Sequence, residues 1–189
     1  MCTIIFCVHG EESNNAENLY NVRKEGFILS IRSSAKALII KNKKILLISN
    51  SSSDEKIGDF YCLPGGGQHK YEPLFEAVVR ECKEETGYEV QPLKLICLCE
   101  EICTDEKYRV KHPDYAHKVY HIFLCELVSD KAEAPIEKDG GQVGIEWIDI
   151  DTLNSIRLLP KCLGDKIIDI VNGVAPVFLE SELTKFNNG

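Results

Sequence analysis

From Ser34 onward the chain falls into short apolar runs separated by polar ones. AKALII, then KNKK, then ILLIS reads as two strands rich in Ile and Leu, joined by a tight turn. SNSSSDEKIGD is a loop of small and acidic residues, and FYCLPGGG is a short strand running into three glycines. A different period follows. Leu74, Phe75, Val78, Val79 and Cys82 recur at helical spacing and form one apolar arc. Pro73 suits the first turn of that helix, Glu72 and Glu76 lie near the positive end of its dipole, and Gly87 is a C-terminal stop. LKLICLC, KVYHIFLCELV and GIEWIDI return to strand-like patterning, and LGDKIIDIVNG, with Pro160 just before it, reads as a second amphipathic helix. Strands and helices alternate without repeats or an evident linker, which predicts one α/β domain with helices packed on a mixed sheet. The stretch EESNNAENLYNVRK is polar and unpatterned, so residues 1–33 are expected to be an N-terminal extension (a short strand and a loop) ahead of a domain over residues 34–189.

Composition narrows the class. The chain has 189 residues, 44% of them hydrophobic and 28% charged, which suits one soluble domain with a core of its own. A net charge of −8 works against nucleic-acid binding, because phosphate contacts need a basic surface. A small nucleotide is still admissible, since metal ions can meet its phosphates. The longest apolar runs, ALII and ILLI, are too short to span a bilayer, and MCTIIFCVHG lacks the basic leader and long apolar stretch of an export signal. The cytoplasm is therefore the expected location. Nine cysteines, with no CxxC pair among them, read as small buried hydrophobes of a reducing compartment. Cys97, Cys99 and Cys103 come nearest to a zinc pattern but lack a second ligand pair.

The chemistry concentrates in PGGGQHKYEPLFEAVVRECKEETGY, residues 64 to 88. Positions i, i+3 and i+4 of a helix share a face, so Glu81, Glu84 and Glu85 converge within one turn. Each like-charge pair at that spacing costs about 0.2–0.5 kcal/mol. The acids border the apolar arc, which places them at a partly buried site, where a hard cation with oxygen ligands such as Mg²⁺ would relieve the repulsion. Arg80 can reach Glu84 at i+4 and Glu76 at i−4 and orient a carboxylate. Gly65, Gly66 and Gly67 allow a sharp turn and a close approach of backbone to ligand. An ordinary glycine turn before a solvated acidic helix would show the same pattern.

Gly66, Glu72, Arg80, Glu81, Glu84, Glu85 and Gly87 stand at the spacing of the Nudix box, and the stretch from Gly66 to Tyr88 resembles it in register. At about 7% usage per residue, seven such matches arise by chance on the order of once in 10⁸ starts. Departures fall at two bulky aliphatic positions, which hold Cys82 and Tyr88. Pro64–Gly66 supplies the PGG that usually precedes the box, and IEWIDI the tryptophan strand that follows it. The resemblance covers residues 34 to 175. It implies a Nudix-type α/β/α sandwich with a mixed β-sheet, and a hydrolase that cleaves the phosphoanhydride of a nucleoside diphosphate linked to another moiety.

By that resemblance Glu81, Glu84 and Glu85 are metal ligands, the Gly65 carbonyl is an extra one, Arg80 and Glu72 orient the set, and the cofactor is Mg²⁺ with Mn²⁺ as a substitute. Glu81 could double as general base. An acid from outside the box often takes that role, and Glu133, Glu137 and Asp139 are the candidates, with Gln142 near where many relatives carry a glutamate. Cys103 and Thr104 stand where the ADP-ribose group often has a proline, and the motifs of the NADH and coenzyme A groups are absent. That leaves the broad MutT-like class acting on (d)NTPs or other nucleotides, with an ADP-ribose or nucleotide-sugar pyrophosphatase as an alternative. His117, His121 and Tyr61 are weak candidates for substrate contacts, against a plainer reading as strand and core residues. A nucleotide-binding sensor without turnover is the reading from another class. The expected partner is a small nucleotide, not nucleic acid or a membrane. Many members of the family are dimers, which leaves a homodimer open.

Overall fold

The structure is a computed structural model that describes residues 31–51, 58–135 and 141–184. The extension expected at residues 1–33 therefore lies outside the described residues, except for its last three, which lead into the first strand.

Strand β1 (Arg32–Lys41) turns back through Asn42 and Lys43 into β2 (Lys44–Ser51). Both turn residues have positive φ, 50° and 59°, the left-handed pair that a two-residue hairpin needs to match strand twist. After β3 (Asp59–Cys62), the glycines form β4 (Gly65–Gly67), which pairs antiparallel with β1. Helix α1 spans Leu74–Thr86. Pro73 is its N-cap rather than a first-turn residue, with extended backbone and no side-chain cap bond, one position earlier than the sequence suggests. Gly87 ends it in the left-handed region, as expected.

Beyond α1 come β5 (Val90–Cys103), the short helix α2 (Glu106–Lys111), β6 (His117–Leu127) and β7 (Gln142–Asp149). The expected single helix over LGDKIIDIVNG is two short ones, α3 (Lys161–Gly164) and α4 (Ile167–Val171), before β8 (Phe178–Thr184). Gly164, the last residue of α3, lies so close to the chain at Leu158 that a Cβ there would stand 2.5 Å from its carbonyl oxygen.

The strand path is β3-β2-β1-β6-β5-β8, with β4 added to β1 and β7 to β2. The pairs β1–β6 and β5–β8 are parallel and the others antiparallel, so the sheet is mixed. Both faces of β1, β2 and β6 are covered, which explains why their central positions are mostly apolar. Leu38, Ile45, Leu47, Tyr120 and Ile122 face one core, completed by Cys162, Leu163, Ile167 and Ile170 of α3 and α4. Ala35, Ala37, Ile39, Leu46, Phe123 and Cys125 face a second core, completed by Ala77, Val78 and Cys82 of α1. This is an α/β/α arrangement. Among the described residues no helix is long and apolar enough to cross a membrane.

Five of the described cysteines sit in the two cores as small hydrophobes, Cys97, Cys99 and Cys162 in one and Cys82 and Cys125 in the other. Cys97 and Cys99 lie on one face of β5, both fully buried, in the core that holds Cys162. Burial pushes the Cys97 thiol up to about 12, far from the thiolate that a metal or a nucleophilic role requires.

Candidate active site

The glycine strand and α1 are tied through Gly65 and Gly67. The Gly65 N–H donates to Glu85 Oε2 at 2.7 Å, a buried bond that satisfies a carboxylate exposed by only 6%. Gly65 has φ 123°, and a Cβ on it would meet the Ala35 carbonyl oxygen at 2.2 Å, so only glycine fits against β1 here. At Gly66 the constraint comes from the other side, since a Cβ would stand 2.2 Å from Glu81 Oε2. The missing side chain is the space that the Glu81 carboxylate uses.

Arg80 organises the acids. Its Nε and Nη2 donate to Glu72 Oε1 and Oε2 at 2.7 and 3.0 Å. Nη1 donates to Glu81 Oε1 at 2.8 Å and to Glu84 Oε2 at 2.9 Å, and Nη2 also reaches the Gly67 carbonyl at 3.0 Å. All five guanidinium N–H donors are used. Glu84 at i+4 is the expected partner, but Glu76 at i−4 is not. Arg80 turns instead to Glu72 in the preceding loop, whose two oxygens fit the guanidinium fork. The hydrogen bonds from Arg80, with one from the His69 N–H, hold the Glu72 carboxyl down at about 2 against the opposing effect of burial.

Charge remains after this pairing. Glu72, Glu81, Glu84 and Glu85 face Arg80 and Lys36, whose ammonium donates to the Gly65 carbonyl. The Arg32 guanidinium also lies against Gly67, so four carboxylates stand against three cations and one negative charge is left in formal excess. Among the described residues no three carboxylates, imidazoles or thiolates converge tightly enough to form a ready-made metal cage. The reason is visible: one oxygen each of Glu81 and Glu84 is turned to Arg80, and one of Glu85 to the backbone. The donors themselves, carboxylates and a carbonyl, are those a hard divalent cation prefers. A further acceptor lies nearby. Gln142 donates from Nε2 to the Glu85 carbonyl at 3.0 Å, while its buried Oε1 has no hydrogen-bond partner, the condition that a water or an ion completes.

The remaining candidates have other partners. His117 bonds Glu100, its diagonal neighbour on β5, at 2.6 Å. His121 sits level with Ala35, and so with Gly66, in the strand register, and its Nδ1 lies 3.2 Å from the Ser34 carbonyl. Tyr61 donates to Glu146 at 3.2 Å and ties β3 to β7; burial, followed by Glu146, raises its pKa. Glu133 pairs with Lys83 of α1 at 2.7 Å. Glu137 and Asp139 lie outside the described residues. Cys82 is fully buried, and Tyr88 stacks edge-to-face on Trp147 at 6.1 Å, so both departures from the aliphatic pattern pack. Lys36 was not anticipated. Its signal was a lysine inside an otherwise apolar strand, AKALII, covered on both faces.

Comparison with known proteins agrees with the geometry. The family model of the NUDIX domain matches residues 31–166. A putative ADP-ribose pyrophosphatase, YjhB, of Bacillus subtilis is 27% identical over 107 residues, covering 56% of this chain and 46% of its own. The 8-oxo-dGDP phosphatase NUDT18 of Danio rerio is 28% identical over 113 residues, covering 60% of this chain and 30% of its own. The chain thus spans less than half the length of either relative. Among solved structures, a NUDIX hydrolase from Nitrosomonas europaea superposes with a TM-score of 0.59 at 20% identity, covering 76% of this chain and 89% of that one. A MutT NUDIX hydrolase from Burkholderia pseudomallei gives 0.51 at 27% identity, covering 65% and 85%.

Proposed function

The chain belongs to the NUDIX family, and from that premise we propose that it is a divalent-cation-dependent hydrolase of nucleotides, cleaving a phosphoanhydride bond. The observation that carries this reading is the gathering of carboxylates around the glycine strand and α1, which outnumber the cations beside them even after every donor of Arg80 has been spent. Carboxylate and carbonyl oxygens in that excess are the donors that a hard divalent cation takes. When bound, such an ion neutralises phosphate oxygens and acidifies a water.

The residues of the chain have separable tasks in this reading. Glu81, Glu84 and Glu85 hold the cation through carboxylate oxygens, and the Gly65 carbonyl adds a neutral one. Arg80 fixes the rotamers of Glu81 and Glu84 at their shared Nη1, and Glu72 fixes Arg80. Gly66 keeps the approach to Glu81 open. Glu81 is placed to accept a proton from the attacking water, since its Oε2 faces the gap at Gly66. His121, level with Gly66 on the sheet, is assigned to the substrate side in this reading. The leaving group is a nucleotide or a phosphate, and the names of the two relatives put ADP-ribose and 8-oxo-dGDP beside dNTPs and nucleotide sugars as substrates to try.

The test is phosphate or pyrophosphate release from that panel with Mg²⁺, each run beside Glu84→Gln. Turnover by the wild type, reduced at least a hundredfold in the variant, is expected. Mg²⁺ alone should also raise the melting temperature, with about 1.4 kcal/mol gained at tenfold over its Kd. Nucleotide binding with no turnover across the panel would instead assign a sensor.

A further inference from the structure

Strand β1 is buried on both faces and yet carries a lysine in its middle. Ala35 and Ala37 flank Lys36 and are fully buried, and the strand register sets Lys36 opposite Gly65. Its ammonium donates to the Gly65 carbonyl, while the N–H of the same glycine donates to Glu85. The side chain therefore crosses from β1 to the α1 side of the glycine strand. Glu81 and Glu84 each give one oxygen to Arg80.

We propose that Lys36 is a resident counter-ion of the site, holding the Gly65 carbonyl in the absence of a divalent cation, yielding it when one binds, and thereby setting the affinity for that cation. This rests on the reading of Glu81, Glu84, Glu85 and the Gly65 carbonyl as the cation's ligands. One carbonyl oxygen between the same carboxylates cannot hold an ammonium and a divalent cation together without strong like-charge repulsion. The ammonium is the movable partner, a compact charge on a flexible four-carbon stem. Once displaced it stays at the rim of the site, where a phosphate oxygen of the nucleotide is its natural acceptor. Arg80 cannot take this part, since its donors are all committed and its departure would release Glu72, Glu81 and Glu84 together.

The experiment is calorimetric titration of the full chain with Mg²⁺ alone, for the wild type and for Lys36→Met, which keeps the stem and removes the charge. Binding about tenfold tighter in Lys36→Met is expected, with a lower kcat toward nucleotide despite the tighter cation. A lysine that only supports the fold would lower the melting temperature and leave Mg²⁺ affinity unchanged, and that result overturns the proposal. Failure of both proteins to bind Mg²⁺ would sink the cation reading itself and the role of Lys36 with it. Binding by the wild type with unchanged affinity in the variant would sink the role of Lys36 alone. If Lys36→Met does not fold, acylation of the wild type followed by peptide mass spectrometry decides. Labelling of Lys36, normalised to the exposed Lys161, should rise severalfold at saturating Mg²⁺, and equal labelling with and without Mg²⁺ overturns the proposal.

Discussion

The two faces of the sheet are built on different terms. On one, α3 and α4 bring Leu163, Ile167 and Ile170 against Leu38, Ile45, Leu47 and Ile122. On the other, α1 meets the sheet through Ala77, Val78 and Cys82 set against Ala35, Ala37 and Ile39. The final turn of α1 buries two polar groups, Glu85 and Thr86, beside that core. Each of those groups has a partner: Glu85 takes the Gly65 N–H, and the Thr86 hydroxyl donates to the Cys82 carbonyl at 2.6 Å while accepting from the Tyr88 N–H at 3.1 Å. Bulk on one face and buried charge on the other separate stability from chemistry.

The largest effect expected of that separation is on the bulky face. Ile167→Ala, at a side chain exposed by only 1%, should cost about 3 kcal/mol, read by chemical denaturation, with kcat per folded molecule unchanged. Cys82→Ala on the other face removes one sulfur against small neighbours and should cost under about 1.5 kcal/mol. Equal costs for the two would contradict the contrast. Next in size is Arg80→Met, which leaves Glu72, Glu81 and Glu84 without their shared donor. A loss of about 2 kcal/mol at neutral pH is expected, discounted from fully buried pairs because Arg80 keeps some exposure. Turnover should fall with it, since two proposed ligands lose their orientation.

The contrast between the faces also explains what could be read from the sequence. Apolar runs gave both hairpin strands and β5 to β7, because covering a sheet on two sides leaves little room for polar residues. The carboxylate helix was legible from spacing, and its end from Gly87. Missing were α2 and β8. The first is six residues long and is capped by Asp105, whose side chain accepts from the Tyr108 N–H at 3.0 Å. The second pairs in parallel with β5, a contact between distant parts of the chain that no local pattern encodes. The same limit applied at the site. Spacing brought Glu81, Glu84 and Glu85 together, but the choice of Glu72 over Glu76 by Arg80, the reach of Lys36 to Gly65 and the bond from Gln142 to the Glu85 carbonyl all depend on tertiary register.

A smaller effect should appear on acidification. The Glu72 carboxyl lies at about 2 in the folded protein, against 4.5 as its ordinary value. A depressed carboxylate stabilises the fold above its unfolded value, and that contribution is lost as pH falls from about 4.5 toward about 2. After allowance for solvent screening it amounts to no more than about 2 kcal/mol. Denaturant midpoints taken across that window should fall in the wild type. In Arg80→Met the same window should be nearly flat, because Glu72 there has lost its strongest donor. Parallel slopes would mean that other carboxylates carry the acid sensitivity.

The smallest effect sharpens the comparison within α1 itself. Lys83 lies three residues from Arg80 and also forms an ion pair, with Glu133 at 2.7 Å, but Glu133 keeps 73% of its side chain exposed. An ammonium and a carboxylate in contact with water gain little from each other, and salt screens what they gain. Lys83→Met should therefore cost less than about 0.5 kcal/mol, and that cost should vanish in 1 M salt. The loss in Arg80→Met should persist there, because its partners are sheltered by the glycine strand. The two variants differ in burial and geometry rather than in formal charge. A salt-resistant loss in Lys83→Met would mean that charge on any side of α1 stabilises the fold, and that the network under Gly65–Gly67 has no special share in it.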